Sequence, residues 1–136
     1  MRSYNMKIRL AVDSEGQDIL RLFPKWEQMN ADDWERIYPY WAVAEVDGEI
    51  VAAVQLCPSL PIGRIEHLNL KKDLNKVTAT KAAHALIKYA EVAMMQMGCK
   101  FIAGYVEFRN KPIKRLIQKH YNAQCLDSGS MLAWRI

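Results

Sequence analysis

The sequence predicts an α/β protein, a mixed and mostly antiparallel sheet with helices on both faces. Three observations carry that expectation. First, Trp41–Val46 and residues 49–56 are two β-prone apolar runs flanking Asp47-Gly48, a pair that suits a tight type I′ hairpin turn. Second, between residues 76 and 97 the apolar positions 79, 82, 83, 86, 90, 93, 94 and 97 keep helical spacing. Third, strand-like runs stand on either side of that helix, residues 64–70 before it and 100–108 after it. An α/β unit is thus joined to a front antiparallel meander.

The elements follow in order. Residues 7–12 (KIRLAV) alternate polar and apolar and read as a strand. Asp13 and Ser14 offer an N-cap, and Ile19, Leu20 and Phe23 give a helical stripe that Pro24 interrupts. A second short helix is expected at residues 31–38, ended by Pro39. After the hairpin, Pro58 and Pro61 mark a loop. In residues 64–70, strict alternation sets Ile65, His67 and Asn69 on one face and Glu66, Leu68 and Leu70 on the other. Gly98 stands where a C′ glycine belongs after the long helix. Asn110 caps a helix from Lys111 with Ile113, Leu116 and Ile117 inward, and Asn122 closes it. Strands near 123–126 and 131–136 form a closing hairpin around Asp127-Ser128-Gly129.

Composition narrows the class. The chain has 136 residues, 51% hydrophobic and 25% charged, the profile of one folded domain. No apolar run approaches the roughly 18 residues of a membrane span, and no signal-peptide pattern opens the chain, so a cytoplasmic protein without membrane association is expected. The three cysteines, Cys57, Cys99 and Cys125, are scattered and odd in number, which argues against a disulfide framework. Cys99, His120 and Cys125 lack the paired spacing of a metal site, so no metal is expected and the cysteines read as small buried apolar groups. The net charge of +4 is divided unevenly. Residues 1–50 carry ten acids and six bases, net −4; residues 51–136 carry five acids and thirteen bases, net +8. The split is compatible with different partners for the two halves, or with solvated faces alone.

The element order, together with the strand at 64–70 followed by a long helix and Asn110 after the strand at 100–108, resembles the GNAT superfamily of N-acetyltransferases across nearly the whole chain. The resemblance implies acetyl-coenzyme A as donor, its pantetheine arm lying between the strands at 64–70 and 100–108. Family members carry a pattern like N-x-x-A-x-x-x-Y after the later strand; Asn110 matches the asparagine, Ile113 replaces the small residue, and Ile117 or Gln118 stands where the tyrosine belongs. The family's Gln/Arg-x-x-Gly-x-Gly/Ala pyrophosphate loop, aligned through Leu86, falls on Thr78, Ala79, Thr80, Lys81, Ala82 and Ala83, with no glycine. The resemblance is therefore to a divergent, glycine-poor member. Such versions of the fold occur among phage-encoded proteins.

The implied site residues follow. Backbone N–H groups of residues 78–83 would hold the pyrophosphate, with the hydroxyls of Thr78 and Thr80 and the charge of Lys81 helping. Asn110 would orient coenzyme A. A backbone N–H near Leu68 and Leu70 would receive the thioester oxyanion. Glu66 is the expected base for a primary amine in direct transfer, His67 the alternative base, and Tyr121 the one phenol placed to act as acid. Trp26, Trp34, Tyr38, Tyr105 and Glu107 would shape the acceptor pocket. The packing alternatives stand beside these roles: Glu66 as a solvent-facing strand residue, His67 as a satisfied strand histidine, Tyr121 as a core aromatic.

Two further function classes remain compatible with the residues. The absent glycines and tyrosine suit a catalytically inactive fold relative serving as a structural or virion-associated component. The basic run Arg109, Lys111, Lys114, Arg115, Lys119 and His120 suits the 3′-phosphate of coenzyme A, a nucleic acid met by the helix at 111–119, or plain solvent. Oligomer formation is open.

Overall fold

In the computed structural model the chain is described over residues 5–23, 40–105, 111–121, 124–125 and 131–135. Strand β1 (Met6–Leu10) leads through a 3-10 turn (Asp13–Glu15) into helix α1 (Gly16–Leu20). Then come β2 (Trp41–Val46), β3 (Glu49–Ser59), β4 (Ile62–Leu70), helix α2 (Lys76–Gln96), β5 (Phe101–Tyr105), helix α3 (Lys111–Tyr121), β6 (Gln124–Cys125) and β7 (Met131–Arg135). The seven strands form one sheet in the order β1-β2-β3-β4-β5-β7-β6. The β4–β5 pair is parallel, and β1–β2, β2–β3, β5–β7 and β6–β7 are antiparallel. The mixed, mostly antiparallel sheet expected from the sequence is therefore present. The helix expected at residues 31–38 lies outside the described residues.

The predicted hairpin forms as expected. Asp47 and Gly48 both have positive φ, 50° and 84°, which a type I′ turn requires. The register then slips: Ala44 faces Ala52 while Glu45 faces Ile50, so Val51 is a bulge residue. Its carbonyl turns instead to accept the N–H of Lys71 at 2.7 Å. The loop expected from Pro58 to Pro61 is shorter than the prolines suggested. Pro58 belongs to β3, only Leu60 and Pro61 form the turn, and the bond between them is cis. The cap of the first helical turn also differs from expectation. Asp13 and Ser14 lie inside the turn, and the Glu15 carboxylate accepts the Val12 N–H at 2.8 Å.

The chain divides into two compact units, one of residues 1–55 with 67–89, the other of residues 56–66 with 90–136. In the first, Ile19 and Phe23 pack with Ala11, Trp41, Val43 and Ala53. The alternate strand residues Ala42, Ala44, Ala52 and Val54 are buried on the opposite side, so this part of the sheet is covered on both faces. Helix α2 contributes Thr78, Ala82, Ala83, Leu86 and Ile87 to the buried set. In the second unit, Ile65, Ala90, Met94, Cys99, Ile102 and Ile117 are buried. Gly63 is required there, because a Cβ would come within 2.8 Å of the Met94 sulfur. Helix α2 ends in a Schellman motif: Gly98 has φ 98°, its N–H reaches Met95 O, and the Cys99 N–H reaches Met94 O at 2.9 Å.

Candidate active site

Strand β4 is the spine of the site. Its parallel register with β5 runs from Ile62–Phe101 to Ile65–Gly104, while β4 itself continues to Leu70. At His67 the backbone has φ 54°, a conformation a side-chain-bearing residue rarely adopts within a strand. Such strain persists only where surroundings impose it, and it concentrates at functional sites. The surroundings here are aromatic. The His67 ring lies 6.2 Å from that of Trp41 at 25°, and 5.5 Å from that of Phe23 at 36°. The irregularity corrects the simple alternation read from the sequence: the phase that set His67 against Glu66 does not carry through residue 67.

Beyond Leu70 the chain enters the short loop before α2. Lys71 is held by its N–H to Val51 and by its ammonium to Glu49 at 2.7 Å. Asn75 is the N-cap of α2: its side-chain oxygen accepts the Thr78 N–H at 2.9 Å, and its carbonyl accepts the Ala79 N–H at 2.9 Å. Residues 78–83 therefore lie inside the helix, with their backbone donors engaged in helical bonds or by the cap. The loop positions given by alignment through Leu86 thus fall within the first two turns of a helix capped by Asn75. The donors left open at this helix end, among the described residues, are the N–H groups of Lys76 and Val77. A strong capping residue after Asp73-Leu74 was the sequence signal that could have located them.

The side chains of the same stretch sort by exposure. Lys76, Thr80 and Lys81 are exposed, Ala79 is half-buried, and Ala82 and Ala83 are buried in the core stripe. Thr78 is 2% exposed, and its hydroxyl oxygen has no hydrogen-bond partner. On β4, Leu68, Asn69 and Leu70 are half-buried, and the Asn69 amide nitrogen is also buried without a partner.

In the other unit, the Glu66 carboxylate meets the Arg64 guanidinium at 3.4 Å. The half-buried Cys57 thiol is near both. Burial pushes its pKa up, the Glu66 charge adds to that, and Arg64 opposes it. Tyr121 ends α3 half-buried near Glu91. Burial, then the Glu91 charge, pushes its phenol up to about 12. The structure thus brings Tyr121 to the second half of α2. Tyr105 closes β5 opposite Met131, with its side chain outside the described residues. Trp26, Trp34, Tyr38, Glu107 and Asn110 also lie outside them. Arg115, Lys119 and His120 are exposed on α3.

This arrangement defines a class of fold: it is that of the N-acetyltransferases. Ard1 from Thermoplasma volcanium superposes with a TM-score of 0.77 at 14% identity, covering 96% of this chain and 97% of that one. An N-acetyltransferase from Staphylococcus aureus Mu50 gives 0.77 at 13%, covering 97% and 98%. PaiA N-acetyltransferase from Thermoplasma acidophilum, in complex with coenzyme A, gives 0.70 at 14%, covering 97% and 99%. No family profile matches the sequence, and no curated protein matches it. No helix among the described residues is long and apolar enough to cross a membrane.

Proposed function

We propose that the protein is an acetyl-coenzyme A-dependent N-acetyltransferase acting on a primary amine by direct transfer. The observation that carries this reading is the strand–loop–helix of β4 and α2. An irregular β4 with a strained His67 leads within a few residues to a helix start with two open N–H groups and Lys71, Lys72, Lys76 and Lys81 on or beside it. A helix end of this kind favours an anion through its dipole and its free donors, and the lysines add charge. The pyrophosphate of coenzyme A is the expected occupant. The likeness in fold to acetyltransferases, one of them solved with coenzyme A, supports the same donor.

In this mechanism the amine attacks the thioester carbonyl. Glu66 takes the proton from the amine through water, with His67 as the alternative base. A backbone N–H near Leu68 and Leu70 stabilises the oxyanion. The carbon–sulfur bond then breaks, and the thiolate of coenzyme A leaves. An alkyl thiol titrates above neutral pH, so the thiolate takes its proton from water. Tyr121, near Glu91 and with a raised pKa, serves packing in this scheme. Asn110, Trp26, Trp34, Tyr38, Tyr105 and Glu107 keep the donor-orienting and acceptor roles the resemblance implies.

Calorimetry with acetyl-coenzyme A tests the reading, followed by mass analysis of amine acceptors incubated with protein and donor. Binding together with an added acetyl group supports it. No heat and no thermal shift at millimolar coenzyme A would refute it in favour of a catalytically silent relative. Retention on DNA at low salt, lost steeply as salt rises, would instead assign the exposed cations of α3 to nucleic acid.

A further inference from the structure

The sheet is covered on both faces in the first compact unit, but strands β4 and β5 of the second unit bury only one. Gly63, Ile65, Ile102 and Gly104 are buried, while Ile62, Arg64 and Phe101, which alternate with them, are exposed. The buried face carries the helices. A Cβ on Gly63 would meet Met94 of α2, and the Tyr121 phenol at the end of α3 is near Glu91 of α2. The opposite face presents two large apolar side chains side by side. Ile62 and Phe101 are register partners, 44% and 41% exposed. Half-buried Ala103 continues the face beside Arg64. Leu60, 67% exposed, extends the apolar surface round the strand ends, where its Cδ2 lies over Gly98.

Contiguous apolar residues on a strand face, unlike ones scattered singly, mark an interaction site. Size, charge and shape define the occupant. The three side chains leave on the order of 300 Å² of apolar surface, well short of the roughly 800 Å² that each partner gives to a standard interface. A short segment fits that area better than a second copy of the chain. The second unit holds four acids and eight bases, net +4, whereas the first holds eleven of each, net zero. On the face itself Arg135, the register partner of Phe101, is exposed, and exposed Lys100 adjoins Phe101 in the chain. Glu66, the one acid on this face among the described residues, is engaged by Arg64 at 3.4 Å. Cations thus rim the apolar centre; they attract an acidic occupant and repel a second copy. Strands β4, β5 and β7 are neighbours in the sheet. With strands about 4.8 Å apart the patch is about 10 Å wide, the diameter of one α-helix.

We propose that the open face of β4, β5 and β7 docks an acidic amphipathic helix of a partner protein. Its apolar stripe lies on Ile62, Phe101 and Leu60, and its carboxylates meet Lys100 and Arg135. The surface uses none of the residues given a catalytic role and does not depend on the acetyltransferase reading.

A phage-displayed library of random peptides, each about 18 residues or five helical turns, tests it on the full chain. Peptides are selected on the wild type and counter-selected on Phe101→Ser, which removes the apolar ring without adding charge. The recovered sequences should be net acidic, with apolar residues at i, i+3, i+4 and i+7. A peptide made to their consensus should bind Ile62→Ser, Phe101→Ser and Arg135→Glu about tenfold more weakly than the wild type, and should lose affinity as salt rises. All three variants should keep the wild-type melting temperature, since the replaced side chains face solvent. Recovery of no peptide, of basic or uncharged ones, or of peptides that bind the variants as well as the wild type overturns the proposal. So does a sharp fall in melting temperature in Ile62→Ser and Phe101→Ser, which would mean that the chain itself covers the face. Sedimentation of the protein alone adds a last check: a monomer is expected, and a dimer that Phe101→Ser splits would give the face to a second copy and overturn the acidic partner.

Discussion

Replacing Asn75 with alanine should lower stability and tighten donor binding together. The Asn75 side-chain oxygen accepts the Thr78 N–H at 2.9 Å, and alanine removes that acceptor. Losing an N-cap asparagine costs about 1 kcal/mol. In a chain of 136 residues that corresponds to a fall of roughly 3–5 °C in melting temperature. The same change releases a third N–H, that of Thr78, beside those of Lys76 and Val77. A phosphate oxygen can then take the position the asparagine held, recovering about 1 kcal/mol on binding, so coenzyme A affinity should rise by roughly three- to tenfold. Asn75→Asp gives the opposite signature. The carboxylate caps the helix at least as well, repels phosphate, and should leave the fold intact while weakening coenzyme A. Differential scanning calorimetry and isothermal titration on the three proteins measure both quantities. A weaker coenzyme A affinity in Asn75→Ala would refute the reasoning, because it would make Asn75 a ligand contact rather than a competitor for the same donor.

Other outcomes are expected. Gly63→Ala should destabilise by about 1–3 kcal/mol in denaturant unfolding, since the new Cβ meets the Met94 Sδ at 2.8 Å and Cγ at 2.9 Å; the cost should shrink when Met94 is also trimmed to alanine. Glu66→Gln should lower kcat by about a hundredfold or more while leaving coenzyme A affinity unchanged, and an unaltered rate would remove Glu66 from the base role. The raised pKa of Tyr121 sets a pH window. Its neutral phenol is favoured in the folded state, so its contribution is complete below pH 10 and is lost as pH rises toward about 12. With its partial exposure this amounts to about 1 kcal/mol, and Tyr121→Phe should flatten the alkaline fall in unfolding free energy over that window.

Much of the fold was legible because its signals are local. Asp47-Gly48 announced the turn because few residues accept two positive φ angles in succession. The long amphipathic run announced α2 within one residue of its observed end, and Gly98 announced the αL stop. The closing hairpin was placed correctly, although β6 is only Gln124–Cys125. Prolines misled where they were read as loop markers, since Pro58 sits at the strand end that tolerates it. The start of α2 was legible too: it was expected at residue 76, where it lies, with Asn75 as its cap.

The site was less legible, for physical reasons that begin at His67. Period-two alternation assumes an unbroken pleat, and one residue at φ 54° resets it; nothing in RIEHLNL signals the break. The aromatic contacts of His67 with Trp41 and Phe23 join residues far apart in sequence. The orphan donors of Asn69 and Thr78 are likewise invisible in a string of letters, because satisfaction depends on what the fold brings near. The sequence by itself determined the element order, the turns and the helix stop, all decided within a few neighbouring residues. Only the tertiary structure decided where β4 breaks its pleat, which N–H groups at α2 stay open and which buried polar atoms go unpaired, because each depends on chain segments that meet only after folding.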